Sequence, residues 1–407
     1  MFTSFTTALS ALSAHATAID VVGNNLANMN TTGYKTNAVM FHDLVAQSVG
    51  PAQGAAQAGF GVGRPTVFRQ FSQGAIQRSS GALDVAIQGD GFLLAQDEAG
   101  VTLYTRGGHL QVDKNGVLRT STGERVQGWT GTGGVITPTG PIGDIVIPVG
   151  ALKAPQATTK FSLDLNLNAA AVQGDVFSSS LEVYDSLGNP HIVTVTFTRG
   201  ANPNEWNYQV DVPGQTVTGS PTGLLQFDSA GNLIAPANWP SPIVTVATPT
   251  TGAAQMDLDW ELYQGTVARL TQYAQASAVA ANSQDGSPAA QLIRVGMADG
   301  GLILAQYSSG EQEPIAQLAM AAIRNPELLT AAGNNNYQLN AQTALPAIGL
   351  PGTGGRGTIL GGALENSTVD LAREFTNLIV YQRGYQASTR VVTTADELSQ
   401  ETINLKR

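Results

Sequence analysis

Side chains that usually perform catalysis are few in this chain and lie outside the common catalytic patterns. Its four histidines are His15, His42, His109 and His191, and no HExxH spacing joins any of them. The chain has no cysteine, which excludes disulfides, thiolate catalysis and zinc held by cysteine. No G-x-S-x-G elbow is present. We therefore predict that the chain is not an enzyme, needs no cofactor and binds no metal.

Two groups of carboxylates have the residue types of a site without its full pattern. Asp257 and Asp259 alternate beside Trp260, as a sugar-cleaving pair could, but two acids on one solvated strand face are common. Asp113 begins a segment similar to the start of a calcium loop, yet the later ligands, including the terminal Glu, are missing. We interpret the first pair as surface carboxylates and the second segment as a hairpin turn.

A glycine-rich segment superficially resembles a dinucleotide-binding loop. Gly59, Gly61 and Gly63 have part of the required spacing, but Arg64 stands where the last glycine should be, and no strand-loop-helix context surrounds it. We predict a flexible linker here, with these three glycines as hinge candidates.

Charge and hydropathy exclude several classes of partner. The formal net charge is −10 and no basic stretch appears, so neither nucleic acid nor an anionic membrane surface is an expected partner. The sequence contains no run of 18 or more apolar residues, so we expect no transmembrane helix. The first twenty residues contain no Lys or Arg, so we expect no cleavable signal peptide. Only 12% of residues are charged, which suits a surface that is buried against other subunits.

The elements that position these residues begin with a helix over residues 3–28. Apolar or small residues recur there at alternating intervals of four and three, which is a heptad seam. That seam consists of Phe5, Leu9, Leu12, Ala16, Ile19, Gly23 and Leu26. The other face carries Ser and Thr instead of charges, so we expect burial on several sides.

A second helix is predicted over residues 366–405, with Ser367 and Asp370 as a capping box. Its seam consists of Leu371, Phe375, Leu378, Gln382 and Tyr385, and then shifts to Val391, Ala395, Leu398, Thr402 and Leu405. Each helix needs a partner for its seam, because isolated helices are marginal in water.

Short strand patterns and tight turns fill the middle of the chain. Residues 76–150 and 284–364 indicate one β-rich domain and residues 151–283 another, in which Phe161–Asn168 alternates strictly. Residues 31–75 and 343–363 indicate linkers rich in Gly and Pro. The predicted fold is α+β and mainly β. Its long N- and C-terminal helices pair as a coiled-coil-like stalk, and two nested β-rich domains lie between them.

The terminal seams allow two functions. They could form an intramolecular stalk on a monomeric, secreted β-rich adhesin, or they could pack against other copies of the chain in a self-assembling polymer. The heptad pattern alone leaves both open.

Particular residues favour the polymer. The segment 24–35 closely resembles the N-terminal signature of the flagellar rod and hook proteins. The matching positions are Asn24, Asn25, Asn28, Asn30, Thr31, Gly33, Tyr34 and Lys35. Residues 369–387 resemble the C-terminal signature, and residues 83–92 and 104–108 resemble two internal motifs, with Gly107 where many members carry Asn.

This resemblance implies a subunit of a helical tube that is exported by the flagellar type III apparatus without a cleavable signal peptide. Residues 1–30 and 365–407 would form the inner tube, 31–75 a linker, 76–150 with 284–364 an inner β domain and 151–283 an outer one. The extra domain 151–283 favours the hook members of the family, and the segment 183–189 resembles a motif typical of them. In these members the flexible tube acts as a universal joint. A distal rod subunit is the alternative.

The resemblance also implies partners. These are many copies of the chain itself, the flagellar rod at the proximal end, the hook-filament junction protein at the distal end, and the hook cap and export apparatus during assembly. It implies an extracellular location in the flagellum.

Overall fold

The structure is a computed structural model of the 407-residue chain, and it describes residues 2–44, 47–48, 57–131, 133–237, 241–247 and 252–404. It is mainly β, with one helix at each end: α1 (Phe2–Ala27) and α2 (Leu371–Asn404). The two helices contact each other along their length. The predicted fold class is therefore confirmed.

The strands follow one another closely between the helices. The first twelve are β1 (Asn37–Met40), β2 (Gln47–Ser48), β3 (Gln57–Ala58), β4 (Thr66–Arg69), β5 (Ile76–Arg78), β6 (Val85–Gln88), β7 (Phe92–Gln96), β8 (Thr102–Thr105), β9 (Leu110–Val112), β10 (Leu118–Thr120), β11 (Arg125–Thr130) and β12 (Gly143–Asp144).

The middle of the chain contributes fourteen more strands. They are β13 (Leu152–Lys153), β14 (Lys160–Asn168), β15 (Val176–Tyr184), β16 (Pro190–Arg199), β17 (Glu205–Asp211), β18 (Val217–Gly219), β19 (Thr222–Phe227), β20 (Leu233–Ala235), β21 (Ile243–Val246), β22 (Met256–Trp260), β23 (Tyr263–Gln264), β24 (Val267–Ala268), β25 (Leu270–Tyr273) and β26 (Ala278–Gln284).

The last strands lead to α2. They are β27 (Ala290–Ala298), β28 (Leu302–Tyr307), β29 (Gln312–Leu318), β30 (Met320–Ala322), β31 (Thr330–Gly333), β32 (Asn336–Gln338), β33 (Ala347–Gly349), β34 (Thr358–Gly361) and β35 (Ala363–Glu365).

The chain divides into two compact units. The first contains residues 1–149, 294–305 and 312–407, and the second contains residues 150–293 and 306–311. The predicted outer domain, 151–283, lies inside the second unit.

The first unit combines the helix pair with a β sheet. The sheet has the order β29-β11-β7-β8-β32-β31, and all of these neighbours are antiparallel. Its core is built on aromatic side chains, among which Phe92, Tyr337 and the half-buried Phe71 meet edge to face with ring centroids 5.3–5.9 Å apart. Edge-to-face contact is the arrangement that aromatic quadrupoles favour.

The second unit is a sandwich of two sheets. One sheet has the order β15-β16-β17-β19-β20, and the other has β18-β21-β22-β14-β25 with β26 also paired to β14. The alternation predicted for 161–168 is confirmed, because Phe161, Leu163, Leu165 and Leu167 all face the core. Trp260 closes this core, with its ring stacked 5.8 Å from that of Phe161.

Some segments predicted as linkers are paired in the structure. Residues 37–40 pair with 66–69 as antiparallel strands, so the region 31–75 is only partly irregular. Residues 358–361, inside the predicted 343–363 linker, pair with β6 and bury Ile359 completely. The Gly and Pro content predicted linkers, but backbone pairing forms strands in both segments, and burial of the β-branched Ile359 adds to the stability of the second.

Candidate functional site

The segment that ends α1 folds back on itself and begins the site. The amide of Asn28 donates to Oδ1 of Asn24 (2.9 Å), and the hydroxyl of Thr31 donates to Oδ1 of Asn28 (3.0 Å). Gly33 has a φ of 70°, and a Cβ there would lie 2.5 Å from the carbonyl oxygen of Arg106. Helix α1 ends at Ala27, and bonds between neighbouring side chains replace the helical ladder beyond it.

The end of α1 is joined to the start of α2 by a buried amide. Asn25 is 1% exposed, and its Nδ2 donates to the carbonyl oxygen of Asn37 (2.8 Å) and to Oε2 of Glu374 (3.2 Å). Its Oδ1 accepts from the backbone of Asn37 (3.0 Å) and from the hydroxyl of Tyr34 (3.2 Å). One side chain therefore links both helices and strand β1.

A buried ionic cluster lies beside it. Nζ of Lys35 donates to Oε1 of Glu365 (2.7 Å) and to the carbonyl oxygen of Ser72 (2.6 Å). Nη1 of Arg106 lies 3.3 Å from Oε2 of the same glutamate. The side chains of Lys35 and Glu365 have no exposed area and that of Arg106 has 2%. Two cations thus share one carboxylate out of contact with water.

The carboxylate of Glu365 has further donors that hold it in place. Its Oε1 also accepts from the backbone N–H of Gly74 (2.7 Å) and from Nε2 of Gln73 (3.1 Å). Burial lowers the pKa of Lys35, the nearby Arg106 lowers it further, and Glu365 opposes both. Glu365 is the group that keeps this cluster close to charge balance.

We call these two layers the helix-base junction, consisting of Asn25, Tyr34, Lys35, Asn37, Arg106, Glu365 and Glu374. Its members come from α1, the connection that follows α1, β1, the residue after β8, β35 and α2. Their polar groups are used inside the chain, so the junction is a structural site. It couples the helix pair to the β sheet of the first unit.

Sequence reasoning found part of this junction. The signature residues Asn25, Tyr34 and Lys35 lie in it, Asn30 is exposed, and Asn24 and Thr31 shape the turn. It missed Asn37 and Glu365, and it included Arg106 and Glu374 only inside family motifs. The signal available for Glu365 was the need of a buried lysine for an anion, which carries no position.

The second helix starts later than predicted. Asp370 caps α2, because its Oδ1 accepts from the backbone N–H groups of Ala372 (2.9 Å) and Arg373 (3.2 Å). The capping box that began at Ser367 is therefore wrong: Oγ1 of Thr368 accepts from the backbone of Thr36 (2.9 Å), which holds this segment in an extended strand-to-helix connection.

The faces along which the helices meet differ from the predicted seams at most positions, and they share only Leu378 and Ala395 with them among the residues named below. On α1 the buried residues are Ala8, Ala14, Ala18, Val22 and Asn25. On α2 the covered residues are Glu374, Asn377, Leu378, Tyr381, Gly384, Ser388, Val392, Ala395 and Ser399. Small residues line this contact because they let two helices approach closely.

The large residues of the predicted seams flank that contact. Those at least 38% exposed are Phe5, Leu9, Leu371, Phe375, Tyr385, Val391 and Leu398. Those half-buried are Leu12, Ala16, Ile19, Leu26 and Leu378. The helix pair of one chain therefore keeps a large apolar surface uncovered, and the assignment of these residues to assembly stays a prediction.

The apolar character of α1 is unusual for a helix in water. Its only charged residue is Asp20, and Ser4–Ala27 is long and apolar enough to cross a membrane by length and composition alone. Such a helix suits burial between protein subunits equally well. The absence of membrane insertion stays a prediction.

The three hinge candidates differ in their surroundings. The carbonyl of Gly61 accepts from the backbone of Leu44 (2.9 Å), and a Cβ on Gly61 would lie 2.5 Å from Oγ of Ser10 on α1. The N–H of Gly63 donates to His42 (2.7 Å), whereas a Cβ on Gly59 would meet nothing within 4 Å. The hinge assignment stays a prediction, and Gly59 is its least constrained member.

Residues suspected of chemistry have structural partners. Asp113 accepts from the backbone of Asn115 and from Arg119, as expected of a hairpin turn. Oδ1 of Asp257 accepts from the hydroxyl of Thr245 on the adjacent strand (2.8 Å). Among the residues that the structure describes, no three His, Asp or Glu side chains are grouped so as to hold a metal ion.

The fold brings the two ends of the chain together in one helical element, and the matches to known families divide along the chain in the same way. Four family models match the chain: "Flagella basal body rod protein" over 5–35, "Flagellar hook protein FlgE/F/G D1 domain" over 86–165, "Flagellar basal body protein FlaE D2 domain" over 167–287, and "Flagellar basal body rod FlgEFG protein C-terminal" over 360–405.

Full-length relatives narrow the class. The chain is 30% identical to the flagellar hook protein FlgE of Borreliella burgdorferi, with 100% of both chains covered. It is also 30% identical to that of Escherichia coli, covering 99% of this chain and 100% of the other. The chain belongs to the flagellar hook protein family. The crystal structure of Helicobacter pylori flagellar hook protein FlgE2 shares the fold, with a TM-score of 0.55, 15% identity, and coverage of 71% of this chain and 100% of that one.

Proposed function

We propose that this chain is the structural subunit of the flagellar hook, and that many copies polymerise into a flexible tube that transmits torque as a universal joint. The observation that supports this proposal is the 30% sequence identity between this chain and flagellar hook proteins over nearly the full length of both chains. The structure adds a physical reason for polymerisation, which is the uncovered apolar flank of the helix pair.

The size of the exposed side chains favours burial by other copies. Leu9 is 54% exposed on α1, and Phe375 is 52% exposed on α2. Full burial of a fully exposed side chain of this size contributes about 1.5–3 kcal/mol, so covering the exposed half contributes about 1 kcal/mol, and the stripe repeats along both helices. A heterologous contact that does not close on itself turns such a stripe into a helical polymer.

The helix-base junction suits the transmission of torque. A force on the helix pair reaches the β sheet through Asn25 and through the cluster of Lys35, Arg106 and Glu365, all of which are buried. Polar networks of this kind hold one geometry rather than a range of packings. Flexing is assigned to the segments outside the junction, with Gly59 as the first candidate.

The finer parts of the proposal follow the family. Residues 1–30 and 365–407 would form the inner tube, 76–150 with 284–364 the inner β domain and 151–283 the outer domain. The rod, the hook-filament junction protein, the hook cap and the type III export apparatus would be partners, with export without a cleavable signal peptide. We assign the chain no enzymatic activity.

Complementation of a hookless mutant bacterium tests the proposal. The full-length chain should restore curved hooks, and deletion of residues 366–407 should abolish them. Leu9→Glu should also abolish polymerisation while leaving the chain folded, because it places a charge on the apolar flank, and Leu9→Met should be tolerated. Hooks built by the deletion variant would overturn the proposal, and straight rods would favour a distal rod subunit.

A further inference from the structure

The side chains that α1 buries in the helix contact are mostly of one small type. They include Ala8, Ala14 and Ala18. Their short methyl groups interlock only weakly with the facing helix, so they define poorly how far one helix is shifted along the other. Larger or polar contacts must therefore contribute to selecting the register.

One large side chain breaks the uniformity. The imidazole of His15 faces Gly384, and a Cβ placed on that glycine would lie 2.6 Å from two atoms of the ring. Real Cβ atoms do not come that close to other heavy atoms, so only glycine at 384 admits this ring at this spacing.

The ring has little freedom to move aside. Its centroid lies 5.5 Å from that of Phe41 and 6.3 Å from that of Tyr381, and those two rings lie 5.9 Å apart. Within the described part of the chain, Nδ1 of His15 is buried and has no hydrogen-bond partner. The position of the ring is therefore determined by shape rather than by hydrogen bonding.

A second contact lies at a matching distance. Asn25 of α1 bonds to Glu374 of α2. The two contacts are ten residues apart on each helix, from 15 to 25 on α1 and from 374 to 384 on α2, and they run in opposite directions. Two contacts about 15 Å apart along antiparallel helices define one register.

We propose that His15 and Gly384 form a size-matched pair that sets the register of the two terminal helices. The bond between Asn25 and Glu374 joins the two helices at their base. About ten residues away, the ring of His15 fits only against Gly384, which excludes packings in which one helix has slipped along the other. Slipped packings would place His15 against a residue with a side chain. They would also break the bond between Asn25 and Glu374, which removes the amide donor from the buried carboxylate of Glu374.

A set of thermal melts on the full-length chain, followed by its helical signal, tests the size match. Alanine is a better helix former than glycine, so Gly384→Ala should raise the midpoint if nothing opposes the new methyl group. With His15 present we expect Gly384→Ala to lower the midpoint by about 2–4 °C instead. In a His15→Ala background the same change should raise it.

Gly23 on α1 is the matched control, because a Cβ there would meet nothing within 4 Å. Gly23→Ala should raise the midpoint in both backgrounds. The proposal fails if Gly384→Ala has the same sign with and without His15.

Disulfide formation measures the register directly, since the chain has no cysteine of its own. Ala11→Cys with Ser388→Cys is the pair opposed in the observed register, and Ala11→Cys with Ala395→Cys is opposed after a slip of one heptad. The first pair should form an intrachain disulfide in preference, and His15→Ala should weaken that preference, because only the contact of Asn25 with Glu374 then remains. An unchanged preference in His15→Ala, equal yields before the change, or disulfides only between chains would each overturn the proposal.

Discussion

Replacing Glu365 with glutamine should destabilise the first unit far more than the loss of an ordinary ion pair. The substitution preserves shape but removes the one negative charge between Lys35 and Arg106, and these side chains are at most 2% exposed. Removing one partner from a buried ion pair costs about 3–5 kcal/mol, because the remaining charge stays buried without compensation. Domains are stable by only about 5–15 kcal/mol, so this change would take up a large part of the total.

Amide hydrogen exchange is the suitable assay, because it reports each unit separately. Exchange in β7 and β8 should accelerate by about 150- to 5,000-fold, which corresponds to about 3–5 kcal/mol. Exchange in β16, in the second unit, should not change. Asp144→Asn is the matched control, since its pair with Arg125 in the first unit is partly exposed and should cost about 1 kcal/mol or less.

Lys35→Met tests the reasoning about charge balance. It leaves Arg106 and Glu365 as a one-to-one pair, so its effect should be smaller than that of Glu365→Gln. The reasoning would be refuted if Lys35→Met were the more damaging change, or if Glu365→Gln cost no more than Asp144→Asn.

Three further predictions concern pH and flexibility. Burial raises the pKa of Asp185, but hydrogen bonds from Asn189 and His191 outweigh it and lower the pKa to about 2. The carboxylate therefore contributes stability above pH 3.8, and this contribution, no more than about 2 kcal/mol, is lost as the pH falls towards 2. The stability difference between wild type and Asp185→Asn in urea unfolding should shrink from pH 6 to pH 2.5, and a constant difference would contradict it. Burial raises the pKa of Tyr337 to about 12, so its contribution of about 2–3 kcal/mol is present below pH 10 and lost as the pH rises to 12. In Tyr337→Phe the free energy of unfolding should fall less steeply between pH 10 and pH 12 than in the wild type. A fall as steep as that of the wild type would show that this tyrosine is not its source. Gly59→Pro should impair swimming while hooks still form in electron micrographs, and normal swimming would remove Gly59 from the hinge.

The local features of this chain could be predicted because their causes are local. A run of Asn and Gly ends α1 through bonds between side chains and backbone a few residues apart. The strict alternation at Phe161–Leu167 predicts one buried face, since successive side chains of a strand point in opposite directions. The heptad spacing likewise predicts helices at both ends.

The helix contact differs from the predicted seams at most positions because apolar size alone does not identify the face that packs within a chain. The largest side chains, such as Leu9 and Phe375, define the strongest stripe in the sequence. Two helices of one chain instead meet through Ala14, Ala18 and Gly384, which permit close approach, and the larger stripe is left uncovered.

The sequence by itself determined the class of this protein, the existence and approximate bounds of its two helices, and the signature that ends the first. Only the tertiary structure decided which residues meet at the helix-base junction. Lys35 and Glu365 are 330 positions apart, and no periodicity or spacing connects them. Their pairing follows from burial: once folding removes Lys35 and Arg106 from water, the carboxylate that the topology places between them becomes necessary.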